Sequence, residues 1–168
     1  MKDFVFKNIA VIDVDDWEER VLNETEETWN KYTFRQERYG VHRHTTTIPL
    51  YWSEDFSTEP FCFHEFNHYF PLVEKVKSYF PGKRIVKAML ARMKPGTFIS
   101  PHIDHGPIFE LSHRVHLPLK TNENVKFIME ETNYTFEKGH LIEINNQMEH
   151  SVENRGDEDR IHFIVDLI

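Results

Sequence analysis

The second half of the chain restricts its fold more than any other feature. From Arg84 onward, short runs rich in β-branched and apolar residues alternate with turn signals. The runs are 85–93, 98–103, 114–119, 125–131, 141–145, 150–153 and 160–168. Between them stand Pro95-Gly96, Gly106-Pro107, the segment 121–124, Lys138-Gly139, Asn145-Asn146 and the segment 155–159. Many short strands with close turn punctuation fold as a β-sandwich or barrel. The expectation is a mainly β protein, a jelly roll with helices layered on one outer face.

The first half supplies those helices and two further strands. Residues 4–14 and 45–52 read as strands. A helix is predicted over 17–32, capped by Asp15 or Asp16, with Trp17, Val21, Leu22, Thr25, Thr28, Trp29 and Tyr32 on one face. A second is predicted over 71–80, burying Leu72, Val73, Val76, Tyr79 and Phe80 and ended by Pro81-Gly82. With 168 residues and neither repeat nor linker, the expectation is one domain over 1–168. Within it, 1–83 is expected to form a helical, substrate-side layer and 84–168 the motif-bearing core.

Composition narrows the function classes. Lysine plus arginine is 20 and aspartate plus glutamate 28, a net charge of −8. That balance argues against nucleic acid and anionic membrane as partners. It weakly favours cationic or zwitterionic small substrates. Cys62 is the single cysteine, so neither an intrachain disulfide nor a thiolate zinc site is available. The charged N-terminal stretch does not read as a signal peptide, and no apolar run reaches a membrane span. A cytoplasmic location is the resulting expectation; the oligomeric state is left open.

Histidine is the conspicuous count, at 11. In Ser100-Pro101-His102-Ile103-Asp104 the one-residue spacing puts imidazole and carboxylate on one face of an extended segment. His150 opens a later strand after a polar turn. Two histidines and one carboxylate form a facial triad suited to non-haem Fe(II), with positions left open. Ten residues past His150, Arg160 begins an alternating strand that it shares on one face with His162 and Ile164. A buried arginine needs an anion, and its planar fork fits a carboxylate. Arg114 and His116 share a face in the same way and offer donors for a carboxylate near the metal. By position alone, the Arg43-His44-Thr45 run is the candidate substrate-facing part of the first half, with His44 a minor candidate for lining the pocket.

Taken in order, PGTFISPHIDHG, HRVHLPLKT, FEKGHLIEINN, HSVENRG and RIHFIVD resemble the aspartyl/asparaginyl β-hydroxylase family of Fe(II)/2-oxoglutarate oxygenases. The resemblance covers about 84–168. It implies a double-stranded β-helix, with His102 and His150 as iron ligands. It also implies Arg160 on the C5 carboxylate of 2-oxoglutarate, and Arg114 and His116 on its C1 carboxylate. Some family members have glycine where this chain has Asp104. The carboxylate here counts against halogenation, which needs that position vacated. The activity implied is hydroxylation of an unactivated C–H bond with Fe(II), 2-oxoglutarate and O₂, on an amino acid or an amino-acid side chain in a peptide. Two rival classes are a cupin-like hydrolase or isomerase using zinc or manganese, and a non-catalytic jelly-roll binding protein.

Overall fold

The computed structural model describes residues 2–55 and 57–168. The chain begins with strand β1 (Phe6–Val11), then helices α1 (Asp15–Leu22), α2 (Glu26–Asn30) and α3 (Phe34–Arg38). Strands β2 (Thr45–Trp52) and β3 (Phe61–Cys62) and helix α4 (Phe70–Lys77) follow. The second half runs β4 (Ile85–Met93), β5 (Phe98–His102), α5 (Pro107–Leu111), β6 (His113–Lys120), β7 (Val125–Met129) and β8 (Thr132–Tyr134). It closes with β9 (His140–Ile144), β10 (His150–Asn154) and β11 (Arg160–Leu167). A seven-stranded sheet has the order β1-β9-β6-β11-β4-β2-β3, and a four-stranded sheet the order β5-β10-β7-β8. The pairings are antiparallel, and the two sheets form the jelly roll.

The predicted division at residue 83 does not separate the sheet. All nine residues of β4 are buried, so the strand needs a partner along each edge. One is β11 and the other is β2 from the first half, while β1 extends the far edge on β9. Gly139 permits that last approach: it has φ +78°, and a Cβ there would meet the Ile12 carbonyl oxygen at 2.5 Å.

The helix predicted over 17–32 is two helices. Asn23 folds its backbone N–H and side-chain amide back onto the carbonyl of Glu19, ending α1. Thr25 then starts α2, its Oγ1 accepting from the Thr28 N–H at 3.1 Å. The break leaves Leu22 and Thr25 exposed, though Val21 and Trp29 are buried as expected. Neither Asp15 nor Asp16 caps α1. Both lie in its first turn, where the helix dipole favours acids, and Val14 occupies the cap position. The run read as 125–131 closes a hairpin with β8 through Glu130 and Glu131, both at positive φ.

Alternation along β11 divides the interior. Ile161, Phe163, Val165 and Leu167 join Val21, Trp29, Leu72 and Val76 in a core between the large sheet and the helices. Each such fully buried large side chain stabilises the fold by about 1.5–3 kcal/mol. The alternate residues Arg160, His162, Ile164 and Asp166 form the other row. Across the sheet, Arg160 pairs with Met93, His162 with Ala91, Ile164 with Met89 and Asp166 with Lys87. Met89, Ala91 and Ile164 cluster as an apolar band between two polar ends.

Candidate metal centre

His102 ends β5 and His150 opens β10, and the two are direct register partners across the strand pair. Asp104 lies just past β5. One atom from each of the three comes within 4.8 Å of the others. The Nε2 atoms of His102 and His150 stand 3.8 and 3.9 Å from the two Asp104 oxygens. Each imidazole turns its Nδ1 to a backbone carbonyl, His102 to Ser100 at 2.8 Å and His150 to Met148 at 2.9 Å. A carbonyl only accepts, so each Nδ1 carries the proton and each Nε2 offers a lone pair toward Asp104. The Nε2 of His102 is buried without a hydrogen-bond partner. Burial pushes the His150 imidazolium down, keeping the ring in the neutral, ligating form. Phe127 stacks on His150 at 6.0 Å and 6°.

Asp104 is held from two sides. The Arg114 Nη1 donates to its Oδ2 at 2.6 Å. Burial raises the Asp104 carboxyl, but the charges of Arg114, His150, His102 and Arg35 together outweigh it and the group titrates below its ordinary value. The backbone is clasped by the 145–147 turn: the Asp104 N–H donates to the Asn146 carbonyl, and Gln147 Nε2 donates to the Asp104 carbonyl at 3.0 Å. Asn146 Nδ2 also donates to the Phe109 carbonyl at 2.9 Å.

The two buried arginines flanking this triad differ. Arg114 forms a bidentate pair with Asp166, 2.8 Å from Nε to Oδ1 and 2.8 Å from Nη2 to Oδ2. Burial opposes its charge, yet Asp104 and Asp166 leave its pKa raised. Arg160 has no carboxylate within 4.0 Å among the described residues. Its Nη2 donates to His162 Nδ1 at 2.7 Å, its Nη1 faces the Met93 sulfur at 3.9 Å, and its Nε has no partner. Burial and the charge of Arg35 push it down to about 9. Arg35, from α3, is likewise without an acid and is pushed down to about 10 by burial. It donates to Thr45 and Thr47 of β2 and to His42. The Nε2 atoms of His116 and His162 are also buried and unpartnered. Arg35, His116, His150 and Arg160 line one inner chamber.

A family model for aspartyl/asparaginyl β-hydroxylases matches residues 7–168. The chain belongs to that family. Its enzyme class is therefore 2-oxoglutarate-dependent oxygenase. No curated protein sequence matches the chain. Among solved structures it is similar to a viral collagen prolyl hydroxylase from Paramecium bursaria Chlorella virus-1, in complex with 2OG. Identity is 13%, the TM-score 0.58, and the match covers 98% of this chain and 96% of that one. It is also similar to a 2OG-Fe(II) oxygenase family oxidoreductase from Burkholderia pseudomallei, at 12% identity and a TM-score of 0.56, over 75% and 69% of the two chains. A third is a non-heme monooxygenase, ThoJ, in a nickel complex, at 15% identity and a TM-score of 0.57, over 98% and 73%. At such identities the likeness concerns the fold, which agrees with the expected jelly roll.

Within this hydroxylase-family fold, all six residues singled out in the sequence lie in one region: His102, Asp104 and His150 together, Arg114 beside Asp104, and His116 and Arg160 in the inner chamber. Arg114 is more heavily engaged than its motif suggests, since three of its N–H groups already meet Asp104 and Asp166. His44 does not face the site; it is exposed and packs near Phe98. His42 takes that place, buried with its ring 5.5 Å from His102. Strand alternation from Arg160 reaches Asp166, so that residue had a signal. Arg35 had none, because a five-residue helix placed by packing delivers it.

Proposed function

We propose that the protein is an Fe(II)- and 2-oxoglutarate-dependent hydroxylase, acting as one unit over residues 1–168 on a C–H bond of an amino acid or amino-acid side chain. His102, Asp104 and His150 would hold the iron. Arg160 would take the C5 carboxylate of 2-oxoglutarate, and Arg114 and His116 the C1 carboxylate. The orphaned Nε2 of His102 and the convergent carboxylate fit an iron(II) donor set.

One observation carries the reading: a fully buried guanidinium, Arg160, stands without an acid in the same chamber as His150. An unpaired buried charge costs several kcal/mol, and a dianionic cosubstrate offsets that cost. A metal hydrolase gives Arg160 no such role. When bound, iron with 2-oxoglutarate and O₂ supplies the oxidising power, converting R–H to R–OH while 2-oxoglutarate leaves as succinate and CO₂.

The chain's own residues set the conditions. The Ser100 and Met148 carbonyls fix the imidazole tautomers. Arg114 keeps Asp104 ionised and aimed. By count, Arg114 retains two of the five N–H donors of a guanidinium for an incoming carboxylate. The band of Met89, Ala91 and Ile164 keeps the chamber apolar, which strengthens every charge interaction in it. Arg35 adds a second uncompensated positive charge to the chamber that would receive the dianion.

Anaerobically prepared protein given Fe(II), 2-oxoglutarate and then O₂ is expected to release succinate. His150→Ala should abolish both iron retention and succinate, and Arg160→Met should abolish succinate with iron retained. Iron retention unaffected by His150→Ala, with no succinate from the parent, would overturn the proposal.

A further inference from the structure

A second cavity, of about 270 Å³, adjoins the triad and shares Arg35, His42, His102 and Arg114 with the inner chamber. Tyr39, Trp52, Lys87 and Phe109 line it, and it reaches His102 and Asp104. That volume is near the lower end for ligand sites and suits a small molecule.

Lys87 is its unusual member. It stands in β4 among apolar residues, in the register row that runs Arg114, Asp166, Lys87, Trp52 across four strands. Only 2% of it is exposed. Its cross-strand neighbour Asp166 is committed to Arg114 by two hydrogen bonds. Among the described residues, the one carboxylate within 4.0 Å is that of Glu54, at 3.8 Å, and Glu54 also serves Arg38 at 3.0 Å and the Trp52 indole N–H at 2.8 Å. What surrounds the ammonium instead is aromatic: the rings of Trp52, Phe109 and Tyr39, at 4.4, 4.9 and 6.0 Å. Ring faces compensate a buried cation only in part. Burial pushes the Lys87 ammonium below its ordinary value.

The uncompensated charge around the cavity is positive. Arg35 and Lys87 supply it, while Arg114 is paired with Asp166 and with the single acid of the lining, Asp104, which also belongs to the triad. A substrate ammonium would meet no free carboxylate among the described residues that line it. We infer that Lys87 seats a carboxylate of the substrate, and that the substrate is a small organic acid with an apolar body and no free ammonium beside that carboxylate. This rests on the hydroxylase reading and narrows it, among amino-acid derivatives, to N-acylated or deaminated forms. It reverses the preference for cations suggested by the net charge of −8, because the field inside a low-dielectric cavity is set by the groups that line it.

The test uses two matched pairs, N-acetyl-leucine with its carboxamide and 3-phenylpropanoate with its carboxamide, plus free leucine as the zwitterion. Binding is measured by calorimetry on the intact protein, once after EDTA treatment and once with Mn(II) and 2-oxoglutarate under nitrogen. Each acid is expected to bind at least tenfold tighter than its amide, and N-acetyl-leucine tighter than leucine. Lys87→Met should bring acid and amide level, and Lys87→Arg should restore most of the difference. Unchanged 2-oxoglutarate binding by Lys87→Met shows that the variant is folded. Acids no tighter than amides in the parent, or a preference that survives Lys87→Met, would overturn the inference. Loss of 2-oxoglutarate binding alongside an intact, Lys87-dependent acid preference would instead overturn only the hydroxylase reading.

Discussion

Arg114 and Arg160 lie on the same face of the large sheet, both buried, at the two polar ends that the apolar band of Met89, Ala91 and Ile164 separates. Six residue steps along β11 separate the Asp166 row from the Arg160 row, about 20 Å of extended chain. At one end two carboxylates neutralise the guanidinium; at the other none does. The difference separates a charge that builds the site from a charge that waits for a ligand. Arg114 belongs to the architecture, aiming Asp104 and tying β6 to β11. Arg160 is costly to the empty protein and becomes favourable only when an anion arrives.

Substitutions should break this contrast in opposite directions. Arg114→Met leaves Asp104 and Asp166 buried and uncompensated, and the expected loss is about 3–5 kcal/mol of folding stability in urea titrations. Arg160→Met removes a charge with no partner, so its urea midpoint should equal or exceed that of the parent. A large loss there would show that Arg160 is structural after all.

Ligand binding should invert the ranking. Arg160→Met is expected to lose about 2–5 kcal/mol of 2-oxoglutarate affinity in anaerobic titrations with Mn(II). Arg160→Lys should recover only part, because an ammonium lacks the planar fork.

A smaller effect sharpens the same point through stability. At 100 times the parent's Kd, 2-oxoglutarate should raise the parent's unfolding free energy by about 2.7 kcal/mol, and that of Arg160→Met by less than about 1 kcal/mol.

The smallest effect concerns a third arginine. Arg92 is buried against Trp29 but reaches the surface carboxylate of Glu26 at 2.6 and 2.9 Å. Arg92 and Lys94 hold Glu26 down to about 2, below its ordinary 4.5. A carboxylate lowered by folding contributes stability above its unfolded pKa and loses it as pH falls through the folded one. The contribution is therefore whole at pH 6 and fades between about 4.5 and about 2. Because Glu26 is solvent-exposed, the gap in urea midpoint between the parent and Glu26→Gln should be only a few tenths of a kcal/mol at pH 6, narrowing toward pH 3.5.

How much of this was legible in the sequence depends on what kind of geometry placed each residue. Strand alternation converts spacing into facing, so His102 with Asp104, and Arg160 with His162, could be grouped before any coordinates. The same rule extended by two reaches Asp166, and applied to β4 it marks Lys87 as a charge on the inner face. Register was not legible. Nothing local says that His102 stands opposite His150, or that Lys87 stands beside Trp52. Arg35 and His42 arrive through short helical turns whose orientation only packing decides. The helix broken at Asn23 shows the complementary failure, in which apolar periodicity ran on past a local hydrogen bond that stops the helix.

Among the described residues, the strand that ends in His102 has a neighbouring strand on one side only. In the small sheet β5 is an edge, joined to β10 through the pairs His102–His150, Ile99–Val152 and Phe98–Glu153. Edge strands open more readily than central ones and can recruit foreign strands. A metal gripped by His102 and His150 would act as a rivet across that seam. Loading would then show first as slowed amide exchange along β5, and its removal would expose a sticky border where chains can associate. Resistance to aggregation in such a molecule becomes a property of its metal supply.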